Sequence, residues 1–133
     1  MEDLTGFALS QEELLVALLL LDLPAPIGFD DLEERVFGRL SEDVRSPLLA
    51  ATERALVARG LLAIEAEGSQ MDADVRSALQ TVTRPDDTWI VLHQPTGEPQ
   101  TTSYFHQREA DLVAHVDTWN IHQFVALSGR GKW

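Results

Sequence analysis

His115 and His122 flank the segment 117–120, which has the Asp-first, Asn-last composition of a turn. A hairpin closed on those four residues sets His115 directly across from His122, with Val113 across from Phe124 and Asp117 on the same face. Opposed imidazoles ~5 Å apart can offer two nitrogens to a metal, and Asp117 can add an oxygen. Two histidines and one carboxylate fall short of a committed zinc set, and His93 and His106 belong to a different hairpin. The expectation is that no metal or cofactor is bound and that the histidines are rim or surface residues, with a pH-sensitive patch as the alternative. Trp119 sits at the turn centre, where exposure is costly unless the ring folds back onto the sheet edge or meets a partner. Trp119, His115, His122 and Phe124 are therefore the candidate partner-binding residues.

Nothing else in the chain announces chemistry. The pairs Asp30/Asp31, Glu33/Glu34 and Asp86/Asp87 stand beside caps and turns, where helix dipoles and turn geometry already explain them. The serines include no nucleophile elbow, and there is no glycine-rich phosphate loop. An enzyme is not expected; a metal-dependent one built on His115 and His122 is the outlying alternative.

The elements that must position these residues follow from pattern. Ser10 and Glu13 form a capping box ahead of a helix that is apolar at almost every position over 14–21, with Phe7 or Leu9 as a hydrophobic staple on Leu14. Pro24, Pro26 and Gly28 break it. Asp30 and Glu33 predict a second helix with Leu32, Val36, Phe37 and Leu40 on one face, and Ser46–Pro47 predicts the start of a third. That helix ends at Gly60 and leads into a strand with Leu62 and Ile64 inward and Glu65 and Glu67 at its tip, followed by a turn at 68–70. Asp72 caps a fourth helix containing Val75, Leu79 and Val82. The period then changes to strands at 89–94, 101–106, 112–116 and 121–127, with Gly97 at a positive-φ position in the first hairpin loop. The fold predicted is a single α+β domain over 1–133: a winged-helix-like helical part over 1–68, then a helix and a four-stranded antiparallel meander over 69–133.

Composition narrows the partner. The 133 residues are 44% hydrophobic, enough for one core, and contain no cysteine, which fits a reducing compartment. Formal charge is −12, from 22 acidic and 10 basic residues, and nine acids precede the first cation, Arg35. Such a field repels nucleic acid and anionic lipid over a Debye length of ~8 Å. A DNA-binding wing also carries cations, whereas this one carries Glu65 and Glu67. The apolar run at 14–21 is far shorter than the ~20 residues a bilayer needs, and acids rather than cations precede it, so neither a membrane span nor a signal peptide is expected. The location expected is cytoplasmic.

The chain resembles the N-terminal half of the EspG-like chaperones of type VII secretion. The residues that carry the resemblance are the leucine-rich opening helix (Leu9, Glu13, Leu14, Leu15, Leu18), the Leu-x-x-Arg-Gly-Leu step at 56–61, the Asp-x-Asp-Val helix start at Asp72 to Val75 with Leu79 behind it, and Arg84–Pro85 before the strands. The resemblance implies cytosolic binding of a hydrophobic, aggregation-prone helical tip on a secretion substrate. It covers about half of a typical member, and a homodimer is expected, to complete that architecture, to cover the apolar helix at 14–21 and to pair the exposed sheet edges. The leading expectation is a protein-binding adaptor or chaperone-like module. The alternative is a winged-helix transcriptional regulator presenting Arg45, Arg54 and Arg59 to DNA.

Overall fold

The computed structural model describes residues 5–127; the expected tail at 129–133 lies outside them. The first strand, β1 (Thr5–Ser10), runs directly into α1 (Gln11–Leu21). The capping box is present: the Ser10 hydroxyl accepts from the Glu13 amide and the Glu13 carboxylate accepts from the Ser10 amide, each at 3.0 Å. Glu13 to Leu18 are buried, but Leu19 and Leu20 emerge, 55% and 41% exposed, so the helix is covered only in its first turns. Asp22 ends it in the left-handed conformation (φ 57°).

Two helix starts differ from the sequence expectation. α2 (Leu32–Phe37) begins after Asp31, with no side-chain cap bond, because the Asp31 carboxylate instead accepts from Arg35 at 3.0 Å. α3 (Glu42–Ala58) begins after Ser41, so Pro47 lies inside the helix rather than at its first position. A proline there deletes one backbone bond, and Glu42 and Asp43 in the first turn favour the early start through the helix dipole. The end of α3 matches expectation. Gly60 (φ 77°) follows it, and the Leu61 and Gly60 amides return to the Leu56 and Val57 carbonyls at 3.0 Å each, the paired bonds of a Schellman turn.

A two-stranded hairpin follows, β2 (Leu62–Glu65) and β3 (Gly68–Met71). The predicted turn at 68–70 is therefore the second strand, and the reversal is at Ala66 and Glu67. Leu62 and its register partner Met71 are buried, whereas Ile64, expected inward, is 61% exposed because the hairpin leaves the core after its first pair. α4 (Ala73–Thr83) is capped by Asp72, whose carboxylate accepts from the Asp74 and Val75 amides, and it buries Val75, Leu79 and Val82.

The main sheet comprises β1 with β4 (Asp87–His93), β5 (Thr101–Arg108), β6 (Asp111–Thr118) and β7 (Ile121–Ala126). Its order is β1-β7-β6-β5-β4, antiparallel throughout. This corrects the four-stranded meander: Phe7 and Leu9 belong to a fifth strand paired with β7. α1 packs on β1, β7, α2 and α3, and α4 lies over β5 and β6. One apolar core joins Leu14, Leu18, Leu56, Leu62 and Leu79 to Leu9, Val113 and Phe124, so the helical part and the sheet are not separable bodies.

Candidate functional site

The β6–β7 turn decides where the predicted residues lie. Trp119 and Asn120 both have positive φ (57° and 63°), so the strands close on a two-residue turn rather than on four residues. Shortening the turn slides the register by two residues. His115 now opposes Phe124, Asp117 opposes His122, and Val113 opposes Ala126. An even slip keeps every side chain on its predicted face, so His115 and His122 still meet, but diagonally.

On the helix-facing side, Phe7, Phe124, His115 and Tyr104 are successive register partners across four strands. Their rings form a row: Phe7 on Phe124 at 5.1 Å, Phe124 on His115 at 4.4 Å, His115 beside Tyr104 at 6.0 Å. Phe29, from the loop between α1 and α2, roofs the row at 4.9 Å from both His115 and His122. The roof sits close because Gly28 (φ 89°) lies against Tyr104, where any Cβ would run into the phenol. Arg35 lies over the outer face of Phe29 at 5.7 Å. The sequence reading missed Phe29 altogether, since a lone aromatic in a proline-rich loop shows no period.

His106, His115 and His122 are fully buried, which overturns the rim or surface expectation for them; His93 alone is exposed. The three are inside because the sheet face that carries them is the one the helices and the Phe29 loop cover. Nε2 of His115 and Nδ1 of His122 are 2.8 Å apart, and Nδ1 of His106 is 2.9 Å from the Thr88 hydroxyl. Nδ1 of His115, Nε2 of His122, Nε2 of His106 and Oδ1 of Asp117 have no hydrogen-bond partner. The tautomer in which His115 Nε2–H donates to His122 turns the His122 Nε2–H toward Asp117, 4.0 Å away, and Asp117 in turn faces Arg35 at 3.9 Å. Burial lowers the pKa of His106 from 6.5 to about 4, and that of His115 to about 3, with His122 and His106 adding repulsion. His122 is also lowered, mainly by burial, with Asp117 opposing and Arg35 reinforcing the shift. The cluster is a neutral polar seam inside an aromatic core. Among the described residues, no group of three or more His, Cys, Asp or Glu is arranged to hold a metal ion. His115 and His122 spend the nitrogens that face each other on a mutual hydrogen bond.

Of the four candidate partner-binding residues, His115, His122 and Phe124 are thus enclosed and only Trp119 is presented, 93% exposed. The alternative of Trp119 folding back on the sheet edge is excluded by that exposure. A bulky residue in the left-handed region costs roughly 1–2 kcal/mol, and the turn is held there by the Gln11 amide donating to the Asn120 carbonyl at 3.0 Å. Next to it begins a surface that sequence reasoning did not nominate. The sheet face away from the helices carries Trp89, Val91, Phe105, Val116, Ile121 and Val125, none of them buried. Among the described residues of that face, Asp87 and His93 are the only ionisable side chains, in a chain of net charge −12. The signal was in the sequence, because these positions alternate with the buried ones and are as apolar as they are.

Of the three arginines of the DNA-binding alternative, Arg54 is exposed and the other two are held by the fold. Arg59 pairs with the Glu13 carboxylate and donates to the Ala8 carbonyl; Arg45 donates to the Leu40 carbonyl and lies over Phe37. No helix among the described residues is long and apolar enough to cross a membrane. No family model matches the chain, and no curated protein matches it at a significant level.

Proposed function

We propose that this chain is a cytosolic protein-binding adaptor of chaperone-like character, and that Trp119 and Ile121, at the edge of the open sheet face, anchor its protein partner. The observation that carries this is the pairing of an almost fully exposed tryptophan, held in a strained turn, with an adjoining apolar face whose ionisable side chains, Asp87 and His93, lie away from it on β4. Interfaces concentrate binding energy in such aromatic anchors, and monomeric surfaces rarely leave large apolar patches bare. The acidic surround disfavours nucleic acid and steers toward a partner that is apolar at its centre and basic or neutral at its rim. In this reading the winged-helix-like unit of α1 to α3 with the β2–β3 hairpin is scaffold, with Arg59 held on Glu13 and Arg45 on the Leu40 carbonyl. The resemblance in element order to EspG-like chaperones agrees with an adaptor that shields an apolar segment of a secreted protein.

The test is affinity isolation from the native host with the wild-type chain, Trp119→Ala, Ile121→Glu and the control Glu65→Lys, followed by mass spectrometry and rebinding of the purified partner. A partner retained by the wild type and the control but lost with both face variants supports the proposal. Equal capture by all four, or capture by none, overturns it.

A further inference from the structure

We infer that two copies of this chain join edge to edge through β4, making a continuous ten-stranded sheet across a two-fold axis. The sheet has two edges, and they are treated differently. At β1 the Arg59 guanidinium donates to the Ala8 carbonyl, and its partner Glu13 fixes it there, so a cation lies against that edge. Natural proteins blunt edges in this way, with charge, or with proline and bulges. Along its centre, from Thr88 to Leu92, β4 has none of these. Seven residues run without proline, lysine or arginine, and its centre is apolar on both faces: Trp89 and Val91 are 50% and 48% exposed on one side, Ile90 and Leu92 54% and 63% on the other. A long, apolar, uncovered edge is a template for another strand.

The occupant is a second β4 because this strand is complementary to itself. Full antiparallel overlap of Asp87–His93 with its own copy puts Ile90 on the two-fold axis. It sets Trp89 against Val91 of the other copy, and Asp87 against His93. The carboxylate thus meets an imidazole N–H at both ends, with Leu92 against Thr88 and the apolar pairs Trp89–Val91 and Ile90–Ile90 between them. These two are also the only ionisable side chains in β4, so chains that each carry −12 meet along a strand with a single carboxylate, which the partner's imidazole faces. An isologous contact of this kind closes at two and does not propagate. Trp89 and Val91 belong to the open face of the partner-binding proposal as well, but its anchors, at the Trp119 turn, lie on the β6–β7 pair with β5 between them and β4, so the Ile90 and Trp119 variants test the two proposals separately.

The test combines mass in solution with cross-linking. Light scattering at tens of micromolar is expected to give twice the 14.8 kDa chain mass. Ile90→Lys, which sets two ammonium groups face to face at the axis, is expected to give the single-chain mass with an unchanged circular dichroism spectrum. Raising salt is expected to tighten the wild-type dimer by screening the mutual repulsion. Because the chain has no cysteine, Ile90→Cys is expected to form an intermolecular disulfide on mild oxidation, whereas Leu92→Cys, four residues out of register with itself, is not. A wild-type mass of one chain at all concentrations overturns the inference. So does a dimer that persists in folded Ile90→Lys, or one that cross-links equally through Leu92→Cys.

Discussion

Acid should destabilise this protein through its buried histidines even though acid relieves its excess negative charge. His106 and His115 have folded pKa values of about 4 and about 3 against 6.5 when unfolded. Below pH 6.5 the unfolded chain takes up protons that the folded chain refuses, so stability falls as pH drops and stops falling only near the folded values. At pH 5 each histidine has cost about 1.5 pH units of this uptake, or about 2 kcal/mol, and the two together about 4 kcal/mol. That is a large share of the ~5–15 kcal/mol that holds a typical domain. The opposing effect is real: with a pI near 4.5, the chain sheds self-repulsion over the same range. Burial separates the two, because surface carboxylates titrate in both states whereas fully enclosed imidazoles do not. Urea unfolding followed by circular dichroism at pH 7.5 and pH 5.0 should show the midpoint falling by about 2 M in acid, for a slope of about 2 kcal/mol/M. His106→Asn, which keeps a polar group near the Thr88 hydroxyl, should recover about half of that loss. Equal midpoints at the two pH values, or an acid loss that His106→Asn leaves intact, would refute the reasoning.

Gly28→Ala should lower stability by about 1–3 kcal/mol, read as a fall in Tm, because its φ of 89° and the Tyr104 phenol both exclude a Cβ. Ser10→Ala should cost about 1 kcal/mol by removing one arm of the capping box that joins β1 to α1. Random duplex DNA should show no binding tighter than ~10⁻⁴ M at ~150 mM salt in an anisotropy titration; micromolar binding would reverse the reading of the acidic hairpin.

Local signals in the sequence were legible where a short stretch determined its own structure. The Ser10–Glu13 box, the Gly60 stop, the Asp72 cap and the strand alternation from β4 to β7 all act within a few residues, and all appear in the structure. What escaped was non-local. β1 pairs with β7 more than a hundred residues away, and six residues that look like a helix approach contain nothing that names this partner. His115 and His122 share one face of their hairpin as the sequence implied, but the rim or surface placement expected for them fails, because their burial depends on Phe29 and the helices arriving from elsewhere in the chain. Trp119 was nominated correctly as exposed, but the turn around it was drawn too long. Tryptophan is a poor left-handed residue, so propensity argued against the two-residue turn that the Asn120–Gln11 bond stabilises. The open sheet face is visible as alternation, but where both faces of a strand are apolar, as in β4, the pattern does not tell which one the helices cover.

The central claim is that the face beginning at Trp119 and Ile121 holds a protein partner. Its most direct test is the dissociation constant of the isolated partner for the wild-type chain and for Trp119→Ala, measured by titration calorimetry. A truncated anchor at the centre of an interface costs about 2 kcal/mol or more, so the account predicts binding weakened roughly thirtyfold or beyond, with the fold of the variant unchanged. An affinity within a factor of two of wild type would contradict it.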